Sequence, residues 1–211
     1  MSVTFETSHT KTNLMRAYAG ESQARNRYNI ASGVAKKAGL YVISAVFDFT
    51  AEQEKAHAKV FYNHLSSLNG SSITIDGSYP VNATTDVLEL LKAAQHNEFE
   101  EYSDVYTEFA TVAKDEGYTK ISSDFEFIAK IEKLHSERFA LFADQIENGK
   151  LFVSDVECKW MCLKCGHIVE SNKAPQACPV CTHDRGYFVR FSLAPYTTPE
   201  FFTAENEIYV R

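Results

Sequence analysis

Two Glu-x-x-His pairs, Glu54–His57 and Glu132–His135, stand out in this 211-residue chain. Residues three apart on a helix lie one turn apart on the same face, so each pair can aim a carboxylate and an imidazole at one centre. Glu98 and Glu101 repeat the spacing with two carboxylates. Glu21 precedes the first pair much as Glu98 precedes the second, which suggests a duplicated helix pair around a shared site. A lone Glu-x-x-His on a helix is ordinarily a solvated pair. Here Glu21, Glu54, Glu98, Glu101 and Glu132 fall on stripes that otherwise carry apolar residues. Burying so many carboxylates together is prohibitive unless some protonate or cations sit among them.

Two helices each giving a Glu, and two each giving Glu-x-x-His, is the ligand pattern of di-iron carboxylate bundles. The seven residues Glu21, Glu54, His57, Glu98, Glu101, Glu132 and His135 are therefore read as a dinuclear metal site. Glu101 is surplus to the set of four glutamates and two histidines. It reads either as an exposed glutamate beside Tyr102 or as a fifth carboxylate sharing one metal position with His57. Ferric iron is the harder ion and favours carboxylate, whereas ferrous iron tolerates imidazole, so an exchange of Glu101 for His57 with oxidation state is chemically reasonable.

A second constellation lies near the end of the sequence: Cys162-x-x-Cys165 and Cys178-x-x-Cys181. Two such knuckles can wrap one tetrahedral ion in four thiolates. The motif alone slightly favours structural zinc over iron. Cys158, four residues before Cys162, reads as a plain thiol. His9, His64, His96, His167 and His183 read as ordinary packing or surface histidines.

Helices must position the carboxylates. Apolar residues recur at helical spacing from about position 10 to 148. The first stripe runs from Leu14 to Ala35 and stops at Gly39; the second runs from Ile43 to Leu65 and stops near Asn69–Gly70. The polar, Gly/Pro-marked stretch SSITIDGSYPVNATT then makes a connection too long for a helix–helix turn. The third stripe carries Leu88, Leu91, Gln95, Glu98, Glu101, Tyr102, Val105, Phe109 and Val112 to Gly117, and the fourth runs from Phe125 to Ile146 and Gly149. This predicts a four-helix bundle with a long crossover between helices two and three. From Phe152 onward Cys, Pro, Gly and short apolar alternations replace the helical period. The expected division is residues 1–152 for the bundle, 153–191 for the cysteine domain and 192–211 for an aromatic extension that packs on the body or on a subunit partner.

Composition narrows the function classes. A net charge of −7 without a long Lys/Arg block is a poor match for nucleic acid or an anionic membrane surface. No apolar run suits a signal peptide or approaches a membrane span. Four of five cysteines in metal-type pairs fit a reducing compartment, and the expectation is a cytoplasmic protein. No Gly-x-Gly-x-x-Gly phosphate motif is present, so the chain is not expected to bind a nicotinamide cofactor itself.

Five stretches, YAGESQARNRY, AEQEKAHAK, EFEEYSDVYTEFA, IEKLHSERF and KWMCLKCGHIVE with APQACPVC, resemble the rubrerythrin family over nearly the whole chain to about residue 190. The resemblance implies a mainly α protein: a ferritin-like di-iron bundle followed by a small β-containing, rubredoxin-like Fe(Cys)4 domain. It implies a non-haem peroxidase that reduces hydrogen peroxide to water in oxidative-stress defence. Electrons would come from a reduced-nicotinamide-dependent reductase or a rubredoxin, and pass from the cysteine iron to the di-iron site within a homodimer or larger homo-oligomer. Glu54 and Glu132 would bridge the irons, Glu21 would be terminal on one with Glu101 and His57 exchanging there, and Glu98 and His135 would be terminal on the other. Tyr28 and Tyr102 would hydrogen-bond the carboxylates. The rival reading is a ferroxidase or iron-handling protein. Two departures stand out: His167 follows Cys165-Gly166 where rubredoxin-type sites often carry Tyr, and Thr182 follows the last cysteine where free rubredoxins usually carry Gly.

Overall fold

The computed structural model describes residues 4–196. It is mainly helical, with a small antiparallel sheet at its C-terminal side. Helix α1 spans His9–Lys37 and α2 Tyr41–His64. Residues 71–86 then cross the bundle without regular structure. The third bundle position is a composite: α3 (Val87–Glu100), a π-helical turn (Glu101–Val105) and α4 (Tyr106–Asp115). Helix α5 (Thr119–Glu147) completes the four bundle positions. No described helix is long and apolar enough to cross a membrane.

Local chemistry sets the helix ends. The Ser8 side chain accepts from the Lys11 N–H at 3.0 Å, and the Asp86 carboxylate accepts from Leu88 and Glu89 at 2.8 and 3.2 Å, satisfying donors that the first turn leaves open. At the α1 end Gly39 takes φ +74° and lets the Leu40 N–H reach back to the Ala35 carbonyl at 2.9 Å. Gly117 at φ +90° does the same for Tyr118 and Ala113 at 2.7 Å. A side chain with a Cβ would strain either turn.

The π turn alters the third position. An uninterrupted α-helix from Glu98 would carry Tyr102, Val105, Phe109 and Val112 inward. Instead the Tyr106 N–H donates to the carbonyl of Glu101, five residues back. One extra residue enters the turn and rotates everything after it by about 100°. The buried residues of α4 are consequently Tyr106, Phe109, Ala110 and Ala113, while Tyr102, Val105 and Val112 are only half-buried. The expected single stripe is thus corrected beyond Glu101.

The bundle's apolar core forms two separate clusters. One contains Tyr28, Phe47, Leu91 and Phe139; the other contains Leu14, Phe61, Tyr106 and Phe125. The buried glutamates and histidines belong to neither.

Strand β1 (Val153–Cys162) pairs antiparallel with β2 (Ile168–Lys173) on one side and β3 (Phe188–Arg190) on the other. Trp160 pairs with Val169 and Arg190 in the two registers. It is fully buried with Phe188, Cys162 and Cys178, and its indole N–H donates to the Ser171 carbonyl at 3.0 Å. The sheet docks on the α1–α2 turn, where Tyr187 stacks on Tyr41 with ring centroids 4.0 Å apart. Any Cβ on Gly186 would sit 1.8 Å from the Gly39 carbonyl oxygen, so this close approach requires glycine. Val189 and Ala194 complete the core cluster of the bundle's near end. Phe191 and Ala194 are buried, and the expectation about the tail otherwise falls on residues 197–211, outside the described residues.

Candidate metal centres

Four helical segments bring six of the seven sequence-predicted residues into one buried knot. Glu21 comes from α1, Glu54 and His57 from α2, Glu98 from α3, and Glu132 and His135 from α5. Each is at most 6 % exposed. They form two overlapping groups, Glu21, Glu54, His57 and Glu132, and Glu54, Glu98, Glu132 and His135, with one ligand atom of each residue within 4.8 Å of the others. Glu54 and Glu132 belong to both. His57 Nδ1 lies 3.1 Å from Glu54 Oε2 and 2.9 Å from Glu132 Oε1. His135 Nδ1 lies 3.0 Å from Glu54 Oε1 and 2.8 Å from Glu132 Oε2. Each of these two carboxylates therefore offers one oxygen to each histidine. Glu21 flanks the first group, with Oε2 3.7 Å from His57 Nδ1, and Glu98 flanks the second, with Oε2 3.3 Å from His135 Nδ1.

The donor set fits a pair of metal ions. Glu21 Oε2, Glu54 Oε1 and both Glu132 oxygens are buried without a hydrogen-bond partner among the described residues. Both Glu132 oxygens approach a histidine nitrogen within 3 Å, yet neither contact has hydrogen-bond geometry. Lone pairs that converge without bonding to one another are what a shared cation needs. Taken with protons alone, the knot is badly matched. Burial, followed by the Glu54 charge, outweighs the His57 hydrogen bond and raises Glu21 to about 8. Burial also drives Glu132 well above its usual range, ahead of the charges of Glu21 and Glu54. Burial opposes ionisation of Glu54 too, but the close contacts with His135 and His57 prevail and lower it to about 2. Against the same penalty, the close carboxylates raise His57 to about 10 and His135 to about 11.

The surroundings repeat with the duplication. The Tyr28 hydroxyl donates to Glu98 Oε1, and the Tyr106 hydroxyl donates to Glu21 Oε1 at 2.6 Å. The sequence reading assigned the second role to Tyr102. Tyr102 instead lies half-exposed against Phe99, with the Lys133 ammonium 5.7 Å from its ring centre. The π turn is the reason, because the extra residue swings Tyr106 into the place an unbroken helix would give its predecessors. Sequence reasoning also missed Gln53 and Arg138. Gln53 Oε1 lies 3.1 Å from His135 Nε2 and accepts from Arg138 Nη1 at 3.0 Å, which fixes the ring with Nδ1 toward the carboxylates. Polar residues beside ligands on α2 and α5 were the only available signal.

Glu101, first residue of the π turn, belongs to neither group. It is half-buried at the floor of a cleft beside the knot. Burial holds its carboxyl well above the usual range, reinforced by Glu98, Glu21 and Glu54. It is not fully exposed; it stands beside the site and lines the cleft together with Tyr106.

The four cysteines Cys162, Cys165, Cys178 and Cys181 form the other cluster, again with sulfurs within 4.8 Å. Cys162 Sγ is 3.8 Å from Cys181 Sγ, and Cys165 Sγ is 3.6 Å from Cys178 Sγ. Tetrahedral thiolates at about 2.3 Å from one ion would stand roughly 3.8 Å apart, so the spacing fits a metal and not a disulfide. The knuckles match in backbone as well: Gly166 N–H donates to the Cys162 carbonyl at 2.8 Å, and Thr182 N–H to the Cys178 carbonyl at 2.9 Å. Gly166 takes φ +78° and Thr182 φ +62°, so Thr182 holds a left-handed position that its branched Cβ disfavours. Backbone donors from Cys181 and Val180 overcome desolvation to lower Cys178 to about 6. The His167 N–H lowers Cys165, but burial and the neighbouring thiols prevail and raise it to about 12. Four thiols so close cannot ionise together without a cation. Cys158 lies outside the cluster.

Comparison with known proteins gives the same picture. The family model described as Rubrerythrin matches residues 12–143, and that described as Rubrerythrin, rubredoxin-like domain matches residues 160–189. The chain is 45% identical to rubrerythrin of Clostridium perfringens, over 86% of this chain and 94% of that protein. It is 42% identical to rubrerythrin of Porphyromonas gingivalis, over 89% and 92%. Among solved structures it resembles nigerythrin in a mixed-valence state, with a TM-score of 0.58, 26% identity and coverage of 90% and 88%. A bacterioferritin of Desulfovibrio desulfuricans shares the bundle fold, with a TM-score of 0.60 at 21% identity over 67% of this chain and 81% of that one. The cofactors expected from the sequence, a di-iron centre and a single iron on four cysteines, accord with this geometry and these relatives.

Proposed function

The chain belongs to the rubrerythrin family, and from that premise we propose that it is a non-haem peroxidase that reduces hydrogen peroxide to water. One observation carries the reading. A buried two-centre carboxylate knot and a four-thiolate cluster occur in one chain. Iron storage has use for the first and none for the second.

In this reading Glu54 and Glu132 would be shared by the two bundle irons, with Glu21 and His57 helping to hold one and Glu98 and His135 the other. Residues 1–152 make the di-iron unit and 153–191 the electron-transfer unit. When bound, the di-iron centre supplies the two electrons that O–O cleavage consumes, and the cysteine iron replaces them singly. The protein's own groups do the rest. The Tyr28 and Tyr106 hydroxyls hold the outer glutamates in place through Glu98 Oε1 and Glu21 Oε1. Glu101, with its raised affinity for a proton, is poised to deliver one from its carboxyl to a departing oxygen. It is also the carboxylate free to exchange with His57, because no described group meets His57 Nε2 to lock that ring as Gln53 locks His135.

A head-to-tail homodimer suits the electron route. Within one chain the sheet docks at Tyr41, and Glu54 lies thirteen residues along α2, on the order of 20 Å away. Phe127, Leu134 and Leu141 leave an exposed apolar stripe at seven-residue spacing on α5, a face that a second copy can cover. The external donor is a rubredoxin or a reduced-nicotinamide-dependent reductase in the cytoplasm.

The test is anaerobic mixing of fully reduced protein with hydrogen peroxide or oxygen while the iron chromophores are followed. Rapid oxidation by peroxide and slow oxidation by oxygen is expected. Faster oxidation by oxygen, with ferric ion accumulating beyond the ligand sets, would establish the ferroxidase reading instead.

A further inference from the structure

The crossover segment has so far served only as a connection, yet it roofs the cleft that ends at Glu101. The cleft has a volume of about 530 Å³. Hydrogen peroxide needs roughly the space of two waters, about 60 Å³, so the cleft is far larger than that substrate requires.

Its roof is anchored at both ends. Arg16 on α1 pairs with Asp76 at 2.5 Å. Further on, Asn82 Oδ1 accepts from Arg27 on α1 at 3.2 Å and from the Asn97 amide on α3 at 3.4 Å. Between these anchors Tyr79 reaches inward. Its hydroxyl donates to the Arg16 carbonyl at 3.4 Å, and its ring lies 3.9 Å from where a Cβ on Gly20 would stand. Gly20 is the residue before Glu21 of the metal knot, so the absent side chain leaves room beside the reacting centre.

The lining combines an apolar wall with polar groups at its inner end. Arg16 is paired with Asp76, Glu100 lies 3.4 Å from His96, and the Arg27 guanidinium is held by the neutral side chains of Gln23 and Asn82. The Glu101 carboxyl and the Asn97 amide supply polar groups at the inner end, and Ala17, Gly20, Pro80, Val105 and Phe109 give apolar wall.

We infer that this cleft is a peroxide-binding vestibule that admits small alkyl hydroperoxides as well as hydrogen peroxide, with the alkyl group against Gly20 and Tyr79 and the hydroperoxyl group toward Glu101. The inference rests on the peroxidase reading above. The reaction balances as it does for hydrogen peroxide: the O–O bond breaks, two electrons come from the ferrous pair, two protons come from Glu101 and solvent, and an alcohol and a water leave.

The probe is tert-butyl hydroperoxide, compared with hydrogen peroxide on the iron-loaded full chain. Wild type is expected to reduce both. Gly20→Ala adds one methyl inside the cleft without a clash, and should lower the ratio of kcat/KM for the alkyl over the parent peroxide about tenfold. Gly33→Ala is the control, since it makes the same change on the same helix where nothing lies within 4 Å, and should leave the ratio unchanged. Binding is read without turnover in zinc-loaded protein, where magnetisation transfer from the tert-butyl protons to the Tyr79 ring should appear in wild type and weaken in Gly20→Ala. If hydrogen peroxide is consumed but the alkyl peroxide is not, or if the ratio is indifferent to Gly20→Ala, this inference fails alone. If hydrogen peroxide itself is not consumed, the peroxidase reading falls and takes this one with it.

Discussion

The thiolate cluster draws its ligands from residues 162–181 and shapes them with two matching turns, whereas the carboxylate knot draws Glu21, Glu54, Glu98 and Glu132 from four separate helical segments. In the first, ligand spacing is set by backbone hydrogen bonds inside each knuckle. In the second, no local geometry relates Glu21 to Glu132, and only helix packing brings them together. The cysteine site should therefore be insensitive to changes in the bundle, while the carboxylate site should respond to anything that shifts a helix face. The polar surroundings differ accordingly. Backbone N–H groups of His167, Val180 and Cys181 serve the sulfurs, and side-chain hydroxyls, an amide and a guanidinium serve the glutamates and histidines.

The strongest challenge to this contrast is Glu132→Ala, which removes an oxygen from each of the two bundle centres. Bundle iron affinity should drop by more than about a hundredfold, while the four-thiolate iron keeps its visible spectrum. Metal analysis beside the spectrum reads both at once, and loss of the cysteine iron as well would show the two sites to be coupled.

Metal removal comes next. Glu21, His57 and His135 bind their protons more tightly in the folded protein than in the unfolded chain. Their contribution to stability is whole below their ordinary values of 4.5 and 6.5, and is lost as pH climbs through about 8, 10 and 11. Glu54 runs the other way, and its share is lost only as pH falls toward about 2. Metal-free protein should thus lose Tm on the order of 10 °C between about pH 6 and pH 9, and iron-loaded protein much less. Differential scanning calorimetry across that window decides, and a metal-free Tm that rises with pH would contradict the proton placement.

A smaller effect separates the two tyrosines. Tyr106→Phe should weaken bundle metal binding about tenfold by freeing Glu21, and Tyr102→Phe should leave it within error. Zinc titration of the two variants measures this directly. Equal losses would mean that the π turn does not set the register of α4.

The smallest change belongs to the thiolate region. Thr182→Gly removes a side chain from a left-handed position and should stabilise that knuckle by about 1 kcal/mol, less whatever the Thr182 Oγ1 bond to the Cys181 carbonyl at 2.7 Å contributes. Slower release of the cysteine iron to a chelator is the expected reading, with the bundle unaffected.

Much of the molecule was legible in the residue pattern. Apolar stripes ending at Gly39, Gly117 and Gly149 marked the helices, and glutamates on those stripes marked the knot, because burying carboxylates without cations is too costly to be accidental. The cysteine spacing marked its own site. The role assigned to Tyr102 was misplaced, since one inserted residue in a helix leaves no trace in a period count. Gln53 and Arg138 were passed over because a ligand's partner need share no spacing with it.

The sequence by itself determined which groups are present and which of them share a helix face, because that period follows from backbone geometry alone. It determined the thiolate cluster almost completely, since all four ligands lie within two local turns. Only the tertiary structure decided that Glu54 and Glu132 each face both histidines, that Tyr106 holds Glu21, and that the crossover roofs a cleft over Glu101. These are relations between helices, set by how side chains interdigitate and by a backbone hydrogen bond that skips to the fifth residue, and neither is written in the spacing of residues along one chain.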